Sequence, residues 1–124
     1  RTTKAIKRLI KMTKNFKREE FSCKCGCKFS TVDYELAEVL DTLREFFNTP
    51  VIVTSGCRCN TYNKAIGGAP SSKHILGIAA DIKVKGISPK EVYEYLDTKY
   101  ATKYGIGLYA SWVHIDVRKH RARW

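Results

Sequence analysis

The chain has 124 residues, 44% of them hydrophobic and 28% charged, with a formal net charge of +11. That length suits one domain with a single core, and no apolar run reaches the ~20 residues that cross a bilayer, which excludes a membrane-spanning helix. The charge sits at the ends: residues 1–20 hold eight basic and two acidic side chains, residues 117–124 hold four basic and none acidic, and the middle is nearly neutral. Such a footprint fits attraction to an anionic polymer such as nucleic acid, lipid headgroups or cell-wall polymer, or a plainly solvated tail. No aromatic-interleaved groove and no named nucleic-acid motif accompanies it, so dedicated nucleic-acid binding is not expected. The chain opens at Arg1 without an apolar leader, so a signal peptide is expected to be absent or already removed, and localisation stays open.

In chain order, residues 2–16 place Ile6, Leu9, Ile10 and Met12 among Lys4, Lys7, Arg8, Lys11 and Lys14. This is a weakly amphipathic basic helix pattern, and a basic arm is expected over residues 1–20. Cys23, Cys25 and Cys27 follow at two-residue steps, and Cys57 and Cys59 repeat the spacing. Two disulfides plus one thiol, or a zinc held by four thiolates, both account for them. Because Cys-x-Cys is tighter than the usual ligand spacing, the expectation favours cross-linking or simple burial.

Leu36, Leu40, Leu43 and Phe47 recur at helical steps behind Ser30-Thr31, predicting a helix over 33–47 that Asn48-Thr49-Pro50 stops. Val51 to Thr54 is β-branched and predicts a buried strand. Asn60 is placed to cap a short helix through Ile66 that ends on Gly67-Gly68, and residues 67–72 read as a loop leading to His74. A strand is expected over 77–84, and Ser88-Pro89-Lys90-Glu91 is a capping box opening a helix to about Ala101. Residues 104–109 and 112–117 read as a β-hairpin. The order of elements predicts a single α+β domain with a mainly antiparallel sheet and flanking helices.

The chemistry gathers in Ser71 to Asp81 and Trp112 to Asp116. His and Asp donors suit zinc, and a catalytic zinc takes three protein ligands and keeps one position for water. His74, Asp81 and His114 could form such a set if their strands are neighbours; the plain alternative is that each is a hydrogen-bonded polar residue. Asp116 lies two residues after His114, so both project from one face of the strand. It suits either a general base for a metal-bound water or a carboxylate that orients the imidazole. Arg58 is a surface ion pair or, if it points inward, a clamp for an oxyanion or a substrate carboxylate. His120, in the basic tail, is expected to be solvated.

Ser72-x-His74-x-x-Gly77-x-Ala79-x-Asp81 with the distal His114 resembles the zinc signature of the D-alanyl-D-alanine carboxypeptidase and dipeptidase family, closest to its small phage-endolysin-like domains. Ser55-Gly-x-Arg58, Asn63-x-x-x-Gly67-Gly68, Gly105-x-Gly107-Leu-Tyr109 and the Trp112 to Trp124 ending resemble the same subgroup, so the likeness covers roughly residues 15–124. It implies the α+β fold shared by such peptidases and the hedgehog signalling domains, with a peptidase domain over residues 21–124. It also implies Zn2+ on His74, Asp81 and His114, carbonyl stabilisation by Arg58, and substrate binding by Ser72 and Arg58. The reaction implied is hydrolysis of a peptide bond in the peptidoglycan stem, by a periplasmic, extracellular or virion-associated protein.

One position departs from the resemblance. Many members carry a catalytic Glu or Asp three residues before the last His ligand, and this chain has Ser111 there. Asp116 then inherits the base role, or the domain is a non-catalytic zinc module that binds the cell wall or builds a virion. Relatives in the hedgehog domains show that the scaffold also serves binding.

Overall fold

The computed structural model of the protein describes residues 13–25, 33–56, 58–68, 72–74 and 77–124. A short 3-10 turn, Arg18–Phe21, leads to α1 (Tyr34–Phe47), β1 (Val51–Ser55), α2 (Asn60–Ala65), β2 (Ala79–Val84), α3 (Pro89–Lys99), β3 (Gly105–Leu108), β4 (Val113–Asp116) and β5 (Ala122–Arg123). The strands form one sheet in the order β1-β2-β4-β3-β5. Every pairing is antiparallel except the last, where β5 runs parallel to β3. This is the expected α+β domain with a mostly antiparallel sheet.

α1 forms because its leucines recur on one face and its ends are capped. The Asp33 side chain accepts the Glu35 N–H at 2.7 Å, and Asn48 closes the helix in the left-handed region at φ 51°. The cap is Asp33, two residues beyond the expected Ser30-Thr31 signal, which lies outside the described residues. α3 starts as the capping box predicts, with the Ser88 hydroxyl accepting the Glu91 N–H at 3.3 Å. α2 begins differently from expectation: the Cys59 thiol, one residue before Asn60, accepts the Tyr62 N–H.

Leu36, Leu40 and Leu43 of α1 and Val92 and Leu96 of α3 cover one face of the sheet, built from Val53, Ala80, Ile82, Ile106, Val113 and Ile115. Phe16 and Phe21 join this core, so the packed body reaches back into the stretch expected to be a basic arm. Of the helix expected over residues 2–16, residues 2–12 lie outside the described residues and 13–16 are not helical. No helix among the described residues is long and apolar enough to cross a membrane.

Period-two alternation puts the other residues of β2 and β4 on the opposite face of the sheet. Asp81 pairs directly with His114, and Gly107 and Gly105 of β3 lie opposite His114 and Asp116. The two central strands thus carry the apolar core on one face and the polar chemistry on the other.

Candidate metal centre

His74 enters from the loop before β2 and is held at both ends. Its backbone N–H reaches the Ser72 hydroxyl at 3.2 Å, and its carbonyl accepts the Arg58 N–H at 3.0 Å. Its Nδ1 lies 2.6 Å from the Gly56 carbonyl. A carbonyl only accepts, so Nδ1 carries the proton and Nε2 keeps its lone pair. That Nε2 stands 3.4 Å from Asp81 Oδ1. Gly77, three residues on, turns the chain into β2 with φ 73°, a conformation that glycine adopts at no steric cost.

His114 is oriented the opposite way round. Its Nε2 donates to Asp116 Oδ2 at 2.7 Å, leaving Nδ1 to face Asp81 Oδ1 at 3.2 Å. Two ring nitrogens and one carboxylate oxygen therefore converge, all within 4.8 Å of one another. Tetrahedral zinc with bonds of ~2.0–2.1 Å sets its ligand atoms ~3.3–3.4 Å apart. The two edges at Asp81, 3.4 and 3.2 Å, lie close to that length, and in its neutral form each imidazole presents the nitrogen its other hydrogen bond leaves unprotonated, so the donor set fits the ion.

Asp116 is fully buried beneath His114. Arg118 grips it with Nε on Oδ1 and Nη2 on Oδ2, both at 2.7 Å, and adds its backbone N–H at 3.2 Å. This two-pronged, charge-assisted contact fixes the carboxylate plane. Burial alone would raise the Asp116 pKa, but hydrogen bonds from His114 and Arg118 outweigh it and hold the carboxyl well below the usual carboxylate range. Burial likewise raises Asp81, and in the metal-free protein hydrogen bonds and attraction from the His114 and His74 rings, in their protonated form, bring it down further than burial lifts it. His114 moves up, because Asp116 and Asp81 outweigh the lowering effect of burial.

The three donors open onto a cavity of about 470 Å³. Arg58 lines it with Nη2 3.4 Å from Asp81 Oδ2, while Ser55 Oγ and Asn63 Oδ1 hold Nε and Nη1 at 3.3 and 3.2 Å. Gly68 makes this possible, since a Cβ there would stand 2.1 Å from Asn63 Oδ1. Ser72 and Lys73 form the same wall. Tyr109 and Trp112, which also line the cavity, stack 4.6 Å apart, and the Trp124 indole donates to the Tyr109 hydroxyl at 2.9 Å. Trp124 also lies 5.0 Å from the His114 ring.

The structure thus brings His74, Asp81, His114, Arg58 and Ser72 to one cavity and sets Asp116 behind His114, away from it. Ser111 is exposed and borders a separate depression of about 140 Å³ beside Val84 and Ile87. Sequence reading did not assign roles to Arg118, Lys73 or the individual members of the aromatic wall. Arg118 had one usable signal, its place two residues beyond Asp116, which would point both side chains the same way if the extended backbone ran on past the end of β4.

No curated protein sequence matches the chain. A family model described as Peptidase M15 matches residues 14–116, a span that contains all three donors, Arg58 and Asp116. A zinc-fitting triad inside a match of that extent identifies the chain as a member of the peptidase M15 family, zinc metallopeptidases of the D-alanyl-D-alanine carboxypeptidase type.

Proposed function

We propose that this protein hydrolyses a peptide bond in the peptidoglycan stem peptide, either trimming a terminal D-alanine or cutting within the stem. The observation that carries the reading is the placement of His74, Asp81 and His114 at zinc-fitting separations on the floor of a cavity. Zinc held there would polarise the scissile carbonyl and lower the pKa of a bound water to about 7. Arg58, pinned by Ser55 and Asn63, keeps part of its donor set for a carbonyl oxygen or a substrate carboxylate. Lys73 adds a second cation to the same wall, suiting a substrate with free carboxylates. The Tyr109–Trp112 stack and Trp124 give the peptide a flat apolar surface and limit access of bulk water. Asp116 acts as a positioning residue that fixes the tautomer and orientation of His114. The basic N-terminal stretch supplies attachment to anionic wall polymer.

A second reading, a non-catalytic zinc module that binds the cell wall or builds a virion, is favoured by one observation. Among the described residues, the only carboxylate lining the cavity is Asp81, already a member of the donor set. Bound zinc and digestion of purified muropeptides, measured for the wild type, His114→Ala and Asp116→Ala, separate the two. Cleavage and zinc at the His74–Asp81–His114 set are expected in the wild type, and both cleavage and that ion should be lost in His114→Ala. Asp116→Ala should regain cleavage when zinc is supplied in excess, which loss of a general base would not allow. Zinc bound by the wild type without cleavage of any muropeptide would overturn the enzyme reading in favour of the binding module.

A further inference from the structure

We propose that Cys23, Cys25 and Cys59 form a second metal site, a thiolate corner for zinc that clips the N-terminal segment to the loop carrying Arg58. The three sulfurs make a nearly regular triangle, with Cys23 to Cys25 at 3.5 Å and both of these to Cys59 at 3.7 Å. A disulfide needs ~2.05 Å between sulfurs, so none of these three pairs is one. Tetrahedral zinc with Zn–S bonds of ~2.3 Å places its sulfurs ~3.8 Å apart, close to all three observed separations. The tight Cys-x-Cys spacing, which argued against metal in the sequence, is accommodated because residues 24 and 25 lie in a turn that brings the two thiols to one side.

Backbone N–H groups point at the sulfurs as they do around metal-bound thiolates. Cys59 N–H reaches Cys23 Sγ at 3.4 Å, and Tyr62 N–H reaches Cys59 Sγ at 3.3 Å. The two segments are also pressed together next to the cluster: a Cβ on Gly56 would stand 2.5 Å from the Phe21 Cα and carbonyl oxygen. Cys27 and Cys57 lie outside the described residues.

The clip has a purpose the fold makes visible. Gly56 accepts the His74 ring N–H, Arg58 reaches Asp81, and Cys59 is the next residue. Tying Cys59 to the segment after Phe21 therefore fixes the short stretch on which both depend.

The full chain, purified under reducing conditions with zinc, tests this by metal content and by cobalt spectroscopy. Two zinc ions per chain are expected for the wild type, matching the two donor clusters among the described residues, and one for Cys25→Ser or for His114→Ala. Cys25 is exposed, so its replacement leaves the core intact; Cys59→Ser repeats the test from the other segment. Cobalt should give a near-ultraviolet thiolate-to-metal band in the wild type and in His114→Ala, and lose it in both cysteine variants. Persistence of the band in the cysteine variants, its absence from the wild type, or a disulfide between two of the three cysteines in the unreduced protein would overturn the site. Because His114→Ala removes the other cluster, failure here is distinguishable from failure of the peptidase reading.

Discussion

Asp116 is the residue whose position says most about how the centre is built. With both oxygens engaged and no exposed surface, it meets the donor set only by way of His114. Asp116→Asn should lower zinc affinity by roughly 10- to 100-fold while leaving the fold intact, read by titration against a chelator. Its charge also leaves a pH signature in the metal-free protein. The folded Asp116 pKa lies below its unfolded value, so its contribution is present above pH ~3.9 and fades as acid titrates it. The folded His114 pKa lies above its unfolded value, so its contribution is present below pH ~6.5 and fades as pH rises through the folded value. Urea melts with chelator should therefore be most favourable between those limits, and zinc, which holds His114 neutral, should flatten the alkaline side. Sequence spacing made His74, Asp81, His114 and Asp116 legible as candidates. It could not choose between the two roles of Asp116, because the choice lies in which ring nitrogen of His114 faces the carboxylate.

β3 shows how strand pairing gives a motif its meaning. Gly105 and Gly107 stand opposite Asp116 and His114 on the polar face, and each leaves room for a different neighbour. A Cβ at Gly105 would stand 2.5 Å from Asp116 Oδ2 and 2.6 Å from Arg118 Nε, both locked in place. A Cβ at Gly107 would meet Trp124 Nε1 at 2.4 Å, but that indole is the far end of a half-exposed side chain with solvent to give way into. Gly105→Ala should thus cost about 1–3 kcal/mol in a urea melt and weaken zinc binding. Gly107→Ala should keep stability and zinc but raise KM by displacing one wall of the cavity. The helices and the first four strands were readable from caps and periodicity. β5 was not, because two residues carry no pattern; it exists through its pairing with β3, with Ala122 N–H donating to Tyr104 O and Trp124 N–H to Ile106 O. The Cys59 cap escaped notice because a thiol is not among the usual capping side chains.

Taken as a whole, the chain contributes to one cavity from widely separated stretches: Arg58 after β1, His74 and Asp81 around β2, His114 on β4, and Trp124 beyond β5. β2 sits between β1 and β4, so the donor set exists only when the centre of the sheet is formed. Metal binding must then add to folding stability. At free zinc 100-fold above its dissociation constant, the gain is about 2.7 kcal/mol for each site. Stripping the metal should lower the melting temperature by several degrees in scanning calorimetry; an unchanged melt would mean that neither donor cluster holds an ion. Sequence alone could not supply this convergence, since nothing in the pattern of β2 or β4 names its neighbour. The aromatic wall has a further consequence. The chain has two tryptophans, and both Trp112 and Trp124 line the cavity. Indole emission from this chain therefore originates at the cavity, which makes the unlabelled chain its own optical gauge of what enters.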